Sequence, residues 1–535
     1  MFIENIFDTR NEQRALMSYL TSPFLTQNQI PAHANYWQSK CIAAALRDLG
    51  FDVDICDYDD EVNLDGYDLI FGLGISLEEA VARNLACIKI FYATDAHSFQ
   101  RNRAEFVRLA ALADRRLVKL PPARQKIYSD KLSAYASDAI LSTGNAWTMA
   151  TYADVFRGPI YRTPVSVCLP AHTRTVNRDF AEARKNFLWV GSGGNVLKGL
   201  DLAIEAFVQL PDCTLNICGP IEPEIETEYA NEFRSPNIIR HGFVDISSNE
   251  FEAIVRRCAF TIFPAASEGG AGSVLTAMGA GLIPIVTAEA SVDIGSSGFL
   301  IEKPDVQSVL QAVREALKLE CGTAAKFSAA CRQIVERGHS VRNYDEHLRR
   351  ALSQIIGDKT GAFPGHGDGR PLARRDGDAA TAEHDGHARP KKIIDCHSSK
   401  SASVHFDYGW AEVEDMGTWT LGREASLHFH WACPPGAKLT ITASLLPLIA
   451  GSIDKRETTI FANGHNIATW SLDRCEWLER SVEIPSTIVG YDGFVQLQFA
   501  ISEAPSPAQL GLNDDRRRLG LLFRSVTIAV EPVDC

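Results

Sequence analysis

Two short segments of this chain gather residue types that bind anions. The first is Gly191-Ser192-Gly193-Gly194, followed at close range by Lys198-Gly199. Glycines there let the backbone approach a ligand, and the Lys198 ammonium can neutralise a phosphate. The same composition also serves as a plain tight connection between a strand and a helix. The second is Phe263-Pro264-Ala265-Ala266-Ser267-Glu268-Gly269-Gly270-Ala271-Gly272-Ser273. Backbone N–H groups from Gly269 to Ser273 can hold a pyrophosphate or sugar oxygens, and Glu268 can accept hydrogen bonds from hydroxyls. Alternatively, the Glu268 charge simply favours the helix that follows. Neither segment has the spacing of a P-loop or of a dinucleotide fingerprint, which disfavours a dinucleotide-dependent oxidoreductase.

Such turns act only when strands and helices hold them at one edge of a sheet. Phe187 to Val190 reads as a buried strand running into the first turn, and Leu200, Ala203, Ile204 and Phe207 form one face of the helix after it. Further strands are predicted at Cys213 to Cys218, Ile238 to Phe243, Ala259 to Phe263 and Leu282 to Val286, with a helix near Ser273 to Ala280. Upstream, a helix from Ala34 to Leu49 places Trp37, Cys41, Ala45 and Leu49 on one face and stops at Gly50. Strands follow at Phe51, Tyr67 to Gly72 and Cys87 to Ala93. The pattern is βαβ throughout, so two Rossmann-like α/β domains are expected to face each other across a cleft.

With 535 residues, the chain has room for about three domains. The expected division is a first Rossmann-like domain over residues 1–170 and a second over 171–356. A flexible linker rich in glycine and charge follows over 357–395, then an all-β sandwich over 396–535. A net charge of −14 argues against nucleic acid as a partner. Thirteen cysteines without a Cys-x-x-Cys pair signal neither a disulfide scaffold nor a zinc site. The N-terminus lacks the form of a signal peptide, and no stretch reads as a bilayer span, so a cytoplasmic protein is expected.

At this point the sequence resembles a known family. The runs FLWVGSGGNVLKGLDLAIEAF, LNICGP and FTIFPAASEGGAGSVLTAMGAGLIPIV look like the nucleotide-sugar half of a family 4 type glycosyltransferase of the GT-B fold. The resemblance covers about Asn186 to Lys303. It implies transfer from a nucleotide-sugar donor to a cell-surface glycan or lipid-linked acceptor, without a metal or other cofactor and with retention of configuration. It also implies that Lys198 meets the donor diphosphate, that Gly191, Ser192, Gly193, Gly194, Gly219, Gly269, Gly270, Ala271, Gly272 and Ser273 surround the donor, and that Glu268 binds it. Two positions depart from the family pattern: Ser192 stands where a base is usual, and Thr276 where a second Glu binds the donor. A threonine offers one short hydroxyl where a carboxylate accepts two. A catalytically inactive sugar- or nucleotide-binding relative with a glycan-recognising β-sandwich is therefore the alternative.

In the first half, Thr94-Asp95-Ala96-His97 ends a strand, and His97 matches a family His that touches the donor sugar, with Asp95 orienting it or an acceptor hydroxyl. A helix-capping His is the other reading, and His33 is a second cleft candidate. From Arg101 to Lys131 there are nine bases against three acids, with Arg101, Arg108 and Arg115 near one helical face. Three uses stay open: an anionic acceptor, contact with an anionic membrane surface, or a solvated helix face. Past Asp395, Gly409-Trp410, Gly417-Thr418-Trp419-Thr420 and Ser506 to Gly511 resemble a β-sandwich appended to bacterial polysaccharide-synthesis glycosyltransferases. Asn463-Gly464 signals a hairpin. Trp410 and Trp419 are expected in the core, and a metal at His405, His428 and His430 is disfavoured.

Overall fold

Phe187–Trp189, Leu215–Cys218, Phe260–Phe263 and Ile283–Thr287 are buried along their lengths, as strands covered by helices on both faces must be. The computed structural model describes residues 1–25, 34–125, 131–153, 155–170, 173, 176–360, 391–397, 405–431, 437–451, 453–489 and 494–531. His33 lies outside them. Among the described residues, Met1–Ala362 forms one unit built on two sheets, and Phe363–Cys535 a second unit.

The first sheet runs β1 (Phe2–Ile3), β3 (Phe51–Asp57), β2 (Gln13–Tyr19), β4 (Leu69–Gly72), β5 (Ile88–Ala93), β6 (Ala139–Ser142), β7 (Ile160–Arg162). All pairings are parallel except that of the short β1. The second sheet, wholly parallel, is ordered β10 (Ile238–Gly242), β9 (Thr214–Cys218), β8 (Asn186–Val190), β11 (Phe260–Phe263), β12 (Ile283–Thr287), β13 (Phe299–Ile301). Its order reverses between β8 and β11, and the two glycine turns leave those neighbouring strands. Ligands of open α/β sheets bind at such a switch point.

Three features differ from the sequence expectations. The helix Ala34–Asp48 buries Gln38, Ile42, Ala45 and Leu46, while Trp37 and Cys41 are only partly buried, so its inner stripe is rotated by one residue. The helix Val341–Thr360 returns to the first lobe. Its Tyr344, Leu348, Leu352 and Ile355 pack with Met17, Ile55 and Tyr92, and the Tyr344 and Tyr92 hydroxyls are 2.9 Å apart. That helix and a strand at Lys391–Asp395 also occupy the ends of the stretch expected as a linker, of which residues 361–390 lie outside the described part.

The third difference concerns the basic segment. The helix Ser98–Arg116 turns Arg108, Arg115 and Arg116 toward acids of the second lobe, while Arg101 pairs with Asp95, and residues 126–130 of the basic segment lie outside the described part. Arg108, 2% exposed, donates 2.7 Å bonds to both oxygens of the fully buried Asp201. Arg115 bonds Asp201 and Glu205, and Arg116 bonds Glu228 and Glu232. Leu112 of the same helix joins the core of the second lobe. The spacing of seven does keep these residues on one face, but acids take them up: Asp95 of the same lobe for Arg101, and Asp201 and Glu205 of the facing lobe for Arg108 and Arg115. Among the described residues, no helix is long and apolar enough to cross a membrane.

The second unit, taken by itself, holds two antiparallel five-stranded sheets. Leu427, Phe429, Ile441, Leu497 and Phe523 share its core. Asn463 and Gly464, at φ 49° and 82°, form the hairpin turn between Arg456–Ala462 and His465–Leu472. Trp410, half-buried, stacks on Phe406 at 4.1 Å, donates to the Ser426 carbonyl and packs against the core, and Trp419 is half-buried as well. His405 Nδ1 meets the His428 carbonyl at 2.9 Å, and the His430 side chain lies outside the described part.

Candidate functional site

A cavity of about 320 Å³ opens between the lobes at the switch point. Gly191, Ser192, Lys198, Glu268, Gly269, Gly270, Ala271, Gly272, Ser273 and Thr276 line it from the second lobe, and Asn35, Gln38, Thr94, Thr143 and Ser166 from the first. Most of the expected donor-site residues are thus together. Gly193, Gly194 and Gly219 do not line it, and neither do Asp95 and His97.

Lys198 sits on the stretch entering the helix Leu200–Val208, 7% exposed, with Nζ donating to Ser192 Oγ at 2.8 Å. Burial holds its ammonium below the usual lysine range, and the Glu268 carboxylate opposes that shift. Glu268 is pushed the other way: burial raises its carboxyl, Asp95 adds to the rise, and Lys198 pulls it back. A desolvated cation and a desolvated acid therefore share one cavity. An entering anion would restore to Lys198 the charge compensation that it lost with water.

The second glycine turn leads into the helix Gly272–Gly279, whose N-cap residue, Ala271, supplies no side-chain cap. Gly272 and Ser273, its first two residues, line the cavity, and their N–H groups have no partner within the helix, an arrangement that suits an anion. The turn is pinned by the first lobe: Thr143 Oγ1 donates to the Gly269 carbonyl at 2.8 Å and Thr148 Oγ1 to that of Glu268 at 3.0 Å. Gly269 must be glycine, since a Cβ would lie 2.3 Å from Asp95 Cα. Thr276 donates its hydroxyl to the Gly272 carbonyl at 2.7 Å, so it offers a ligand lone pairs only.

The first glycine turn is built differently from its expectation. The Glu222 carboxylate accepts the N–H groups of Gly194 and, at 3.2 Å, Asn195, and Asn195 Oδ1 in return accepts the Glu222 N–H at 2.8 Å. The backbone donors of Gly194 and Asn195 are thus taken by a resident carboxylate, and this turn contributes Ser192 and Lys198 to the cavity instead of an amide nest. Gly219 has a structural role, because a Cβ there would stand 1.9 Å from the Gly191 carbonyl oxygen. Replacing Glu222 with alanine leaves those donors uncapped, and an equilibrium urea titration should show a loss of about 1–2 kcal/mol.

His97 caps the helix Ser98–Arg116. Its Nδ1 accepts the Phe99 N–H at 3.3 Å, its ring stands edge-on to Tyr152, and it is 3% exposed. Asp95 pairs with Arg101 at 2.6 Å and accepts the Ala96 N–H. Sequence reasoning missed Asn35, Gln38 and Thr143. Thr143 had a positional signal, since it directly follows the strand Ala139–Ser142, where the fold puts ligands, whereas Asn35 and Gln38 sit on the helix Ala34–Asp48, well past the end of β2, and had none. Among the described residues, no group of three or more His, Cys, Asp and Glu side chains is gathered as a metal site would require.

Several solved structures are similar at low identity. Anabaena Alr3699/HepE in complex with UDP and glucose is 13% identical over 64% of this chain and 100% of that one, with a TM-score of 0.43. Sucrose-phosphate synthase (tll1590) from Thermosynechococcus elongatus is 14% identical over 66% and 100%, at 0.48. WaaG, a glycosyltransferase involved in lipopolysaccharide biosynthesis, is 13% identical over 64% and 99%, at 0.40. No curated protein sequence matches. Residues 184–318, which carry both glycine turns, Lys198 and Glu268, match the family model described as glycosyl transferases group 1, so the similarity to that family lies in the second lobe.

Proposed function

We propose that the chain transfers a glycosyl group from a nucleotide-sugar donor to an acceptor hydroxyl, with the donor diphosphate seated between Lys198 and the start of the helix Gly272–Gly279. The observation that carries this reading is one cavity lined by a desolvated ammonium, an uncapped helix N-terminus and a carboxylate. As the bond from sugar to diphosphate breaks, negative charge grows on the leaving phosphate, and donors already fixed in place stabilise it without reorganising. Glu268 is suited to accept hydrogen bonds from sugar hydroxyls, being held in place through its backbone.

The experiment is a panel of nucleotide sugars incubated with the full chain, scored for slow release of nucleoside diphosphate by hydrolysis. Release that depends on Lys198 supports the reading, and no release from any donor refutes it. The second reading, a binder without turnover, is favoured by the two departures around the donor site: Ser192 in place of a base and Thr276 in place of an acid. Thr276→Glu tests the second departure. A carboxylate would add two acceptor oxygens at the cavity wall, and isothermal titration should show about tenfold tighter donor binding.

A further inference from the structure

A buried polar side chain in a folded protein normally has a hydrogen-bond partner, so one without a partner marks a place prepared for something else. Gln38 is such a side chain. It begins the buried stripe of the helix Ala34–Asp48, one turn before Ile42, with Ala45 and Leu46 following. Those three pack in the core of the first lobe, and at Gln38 that core gives way to the cavity between the lobes. The stripe asks for an apolar residue here, and the chain supplies an amide. Gln38 is 2% exposed, and among the described residues no hydrogen bond, ion pair or ring contact engages its side chain. Its amide atoms are not sealed off, so the space they meet is the cavity.

Ser166, on the chain that leads from the first sheet to the second, lines the same cavity at 1% exposure, and its hydroxyl also lacks a partner. Its neighbours are held on both sides by one residue. The Val165 carbonyl meets His339 Nδ1 at 2.8 Å, and the Val167 N–H donates to the His339 carbonyl at 2.7 Å. An amide offers a carbonyl that accepts and an NH2 that donates, which matches adjacent sugar hydroxyls, since each of those can do both. The second lobe gives the cavity Lys198 and Glu268, whose charges suit a diphosphate, whereas Gln38 and Ser166 present neutral groups that suit hydroxyls.

We propose that Gln38 is a sugar-binding and specificity-determining residue of the first lobe, which hydrogen-bonds hydroxyls of the sugar that enters the cavity, with Ser166 supplying a further hydroxyl. The inference rests on the reading of the cavity as a nucleotide-sugar site and names what the first lobe recognises there. The glycosyl group on the donor and an acceptor glycan offer the same hydroxyl chemistry, and experiment separates the two sources. Selectivity follows from burial. A sugar without the matching hydroxyl would leave the amide unpaired inside the complex, and sites of that kind reject such analogues far more strongly than an apolar wall rejects one extra methylene.

The test compares the full wild-type chain with Gln38→Met, which keeps the length of the side chain and removes its amide. Isothermal titration sets UDP, GDP and ADP against UDP-glucose, GDP-mannose and ADP-glucose, and release of nucleoside diphosphate is followed with and without methyl glycosides of glucose, galactose and mannose. Nucleoside diphosphate affinity should be unchanged. If the donor's sugar is the one bound, nucleotide-sugar affinity and hydrolysis fall about 10- to 100-fold; if the acceptor's, both stay and the acceleration by a methyl glycoside falls by that factor. Without ligand, the unfolding midpoint should equal or exceed that of wild type, because an unpaired amide has left a buried position. A lowered midpoint with sugar binding and transfer intact would make Gln38 a structural residue and overturn the inference. Equal losses for nucleoside diphosphate and nucleotide sugar would overturn it too, as would wild-type behaviour in every arm. No binding of any nucleotide or nucleotide sugar by the wild type would bring down the reading of the cavity as well.

Discussion

Replacing Lys198 with alanine is expected to lower kcat/KM for the donor by about 10²- to 10³-fold, the usual cost of removing one preorganised group that stabilises developing negative charge. The ammonium is 7% exposed and fixed by Ser192 Oγ, so no reorientation is needed when the leaving phosphate gains charge. Its lowered proton affinity gives the prediction a pH signature. Only the protonated form holds an anion, so donor capture should fall as pH rises through the lowered value of the free protein, earlier than an ordinary lysine would allow. A bound diphosphate raises that value again, and the alkaline limb of kcat should therefore sit at higher pH than the limb of kcat/KM. Stability of the free protein moves the other way. Between the lowered value and 10.5 the native chain binds fewer protons than the unfolded chain, so stability attributable to Lys198 rises with pH across that window. Lys198→Arg should carry the alkaline limb out of range, because a guanidinium stays charged. An unchanged kcat/KM in Lys198→Ala would remove the ammonium from the mechanism.

What the sequence made legible follows from burial. The central strands of the second sheet, β8, β11 and β12, are largely apolar because helices cover both faces, and the turns that follow β8 and β11 bring Gly191 and Glu268 to one cavity. Strand β2, Gln13–Tyr19, went unread although it lies inside the first sheet. Its apolar run is only Ala15-Leu16-Met17, and the polar Ser18 is tolerated inside because its hydroxyl donates to the Leu73 carbonyl at 2.8 Å. The roles of charged residues were illegible for a different reason. Arg108 finds Asp201 at a separation of 93 residues, and Glu222 reaches Gly194 across 28, so no local pattern distinguishes a latched arginine from a solvated one or an amide nest from a filled one. His97 stayed ambiguous because a cap and a cleft residue both sit at a strand's carboxyl end, and only the ring's contacts with Phe99 and Tyr152 separate them.

Substituting Asp201 with asparagine is expected to destabilise the first unit by about 3–5 kcal/mol, since removing one partner of a buried ion pair leaves the other charge uncompensated. Asp201 is fully buried in the first turn of the helix Leu200–Val208, where an acid is favoured by the helix dipole. It accepts from both Arg108 and Arg115. With a neutral amide in place of that carboxylate, Arg108 would keep the Pro304 carbonyl at 3.1 Å but lose its counter-charge while remaining 2% exposed. Arg115 would retain Glu205 and partial access to water, so most of the cost falls on Arg108. The measurement is the denaturant midpoint of the full chain, followed by a signal from the first unit. Arg342→Ala, which removes a solvent-exposed pair with Glu346, is the control and should leave the midpoint unchanged. The double variant Arg108→Met with Asp201→Leu separates charge from packing. Apolar side chains of similar volume replace a buried pair at little cost, so the double variant should recover most of what Asp201→Asn loses. A midpoint for Asp201→Asn equal to wild type would mean that water reaches Arg108, and that the arginine helix rests on the second lobe without latching it.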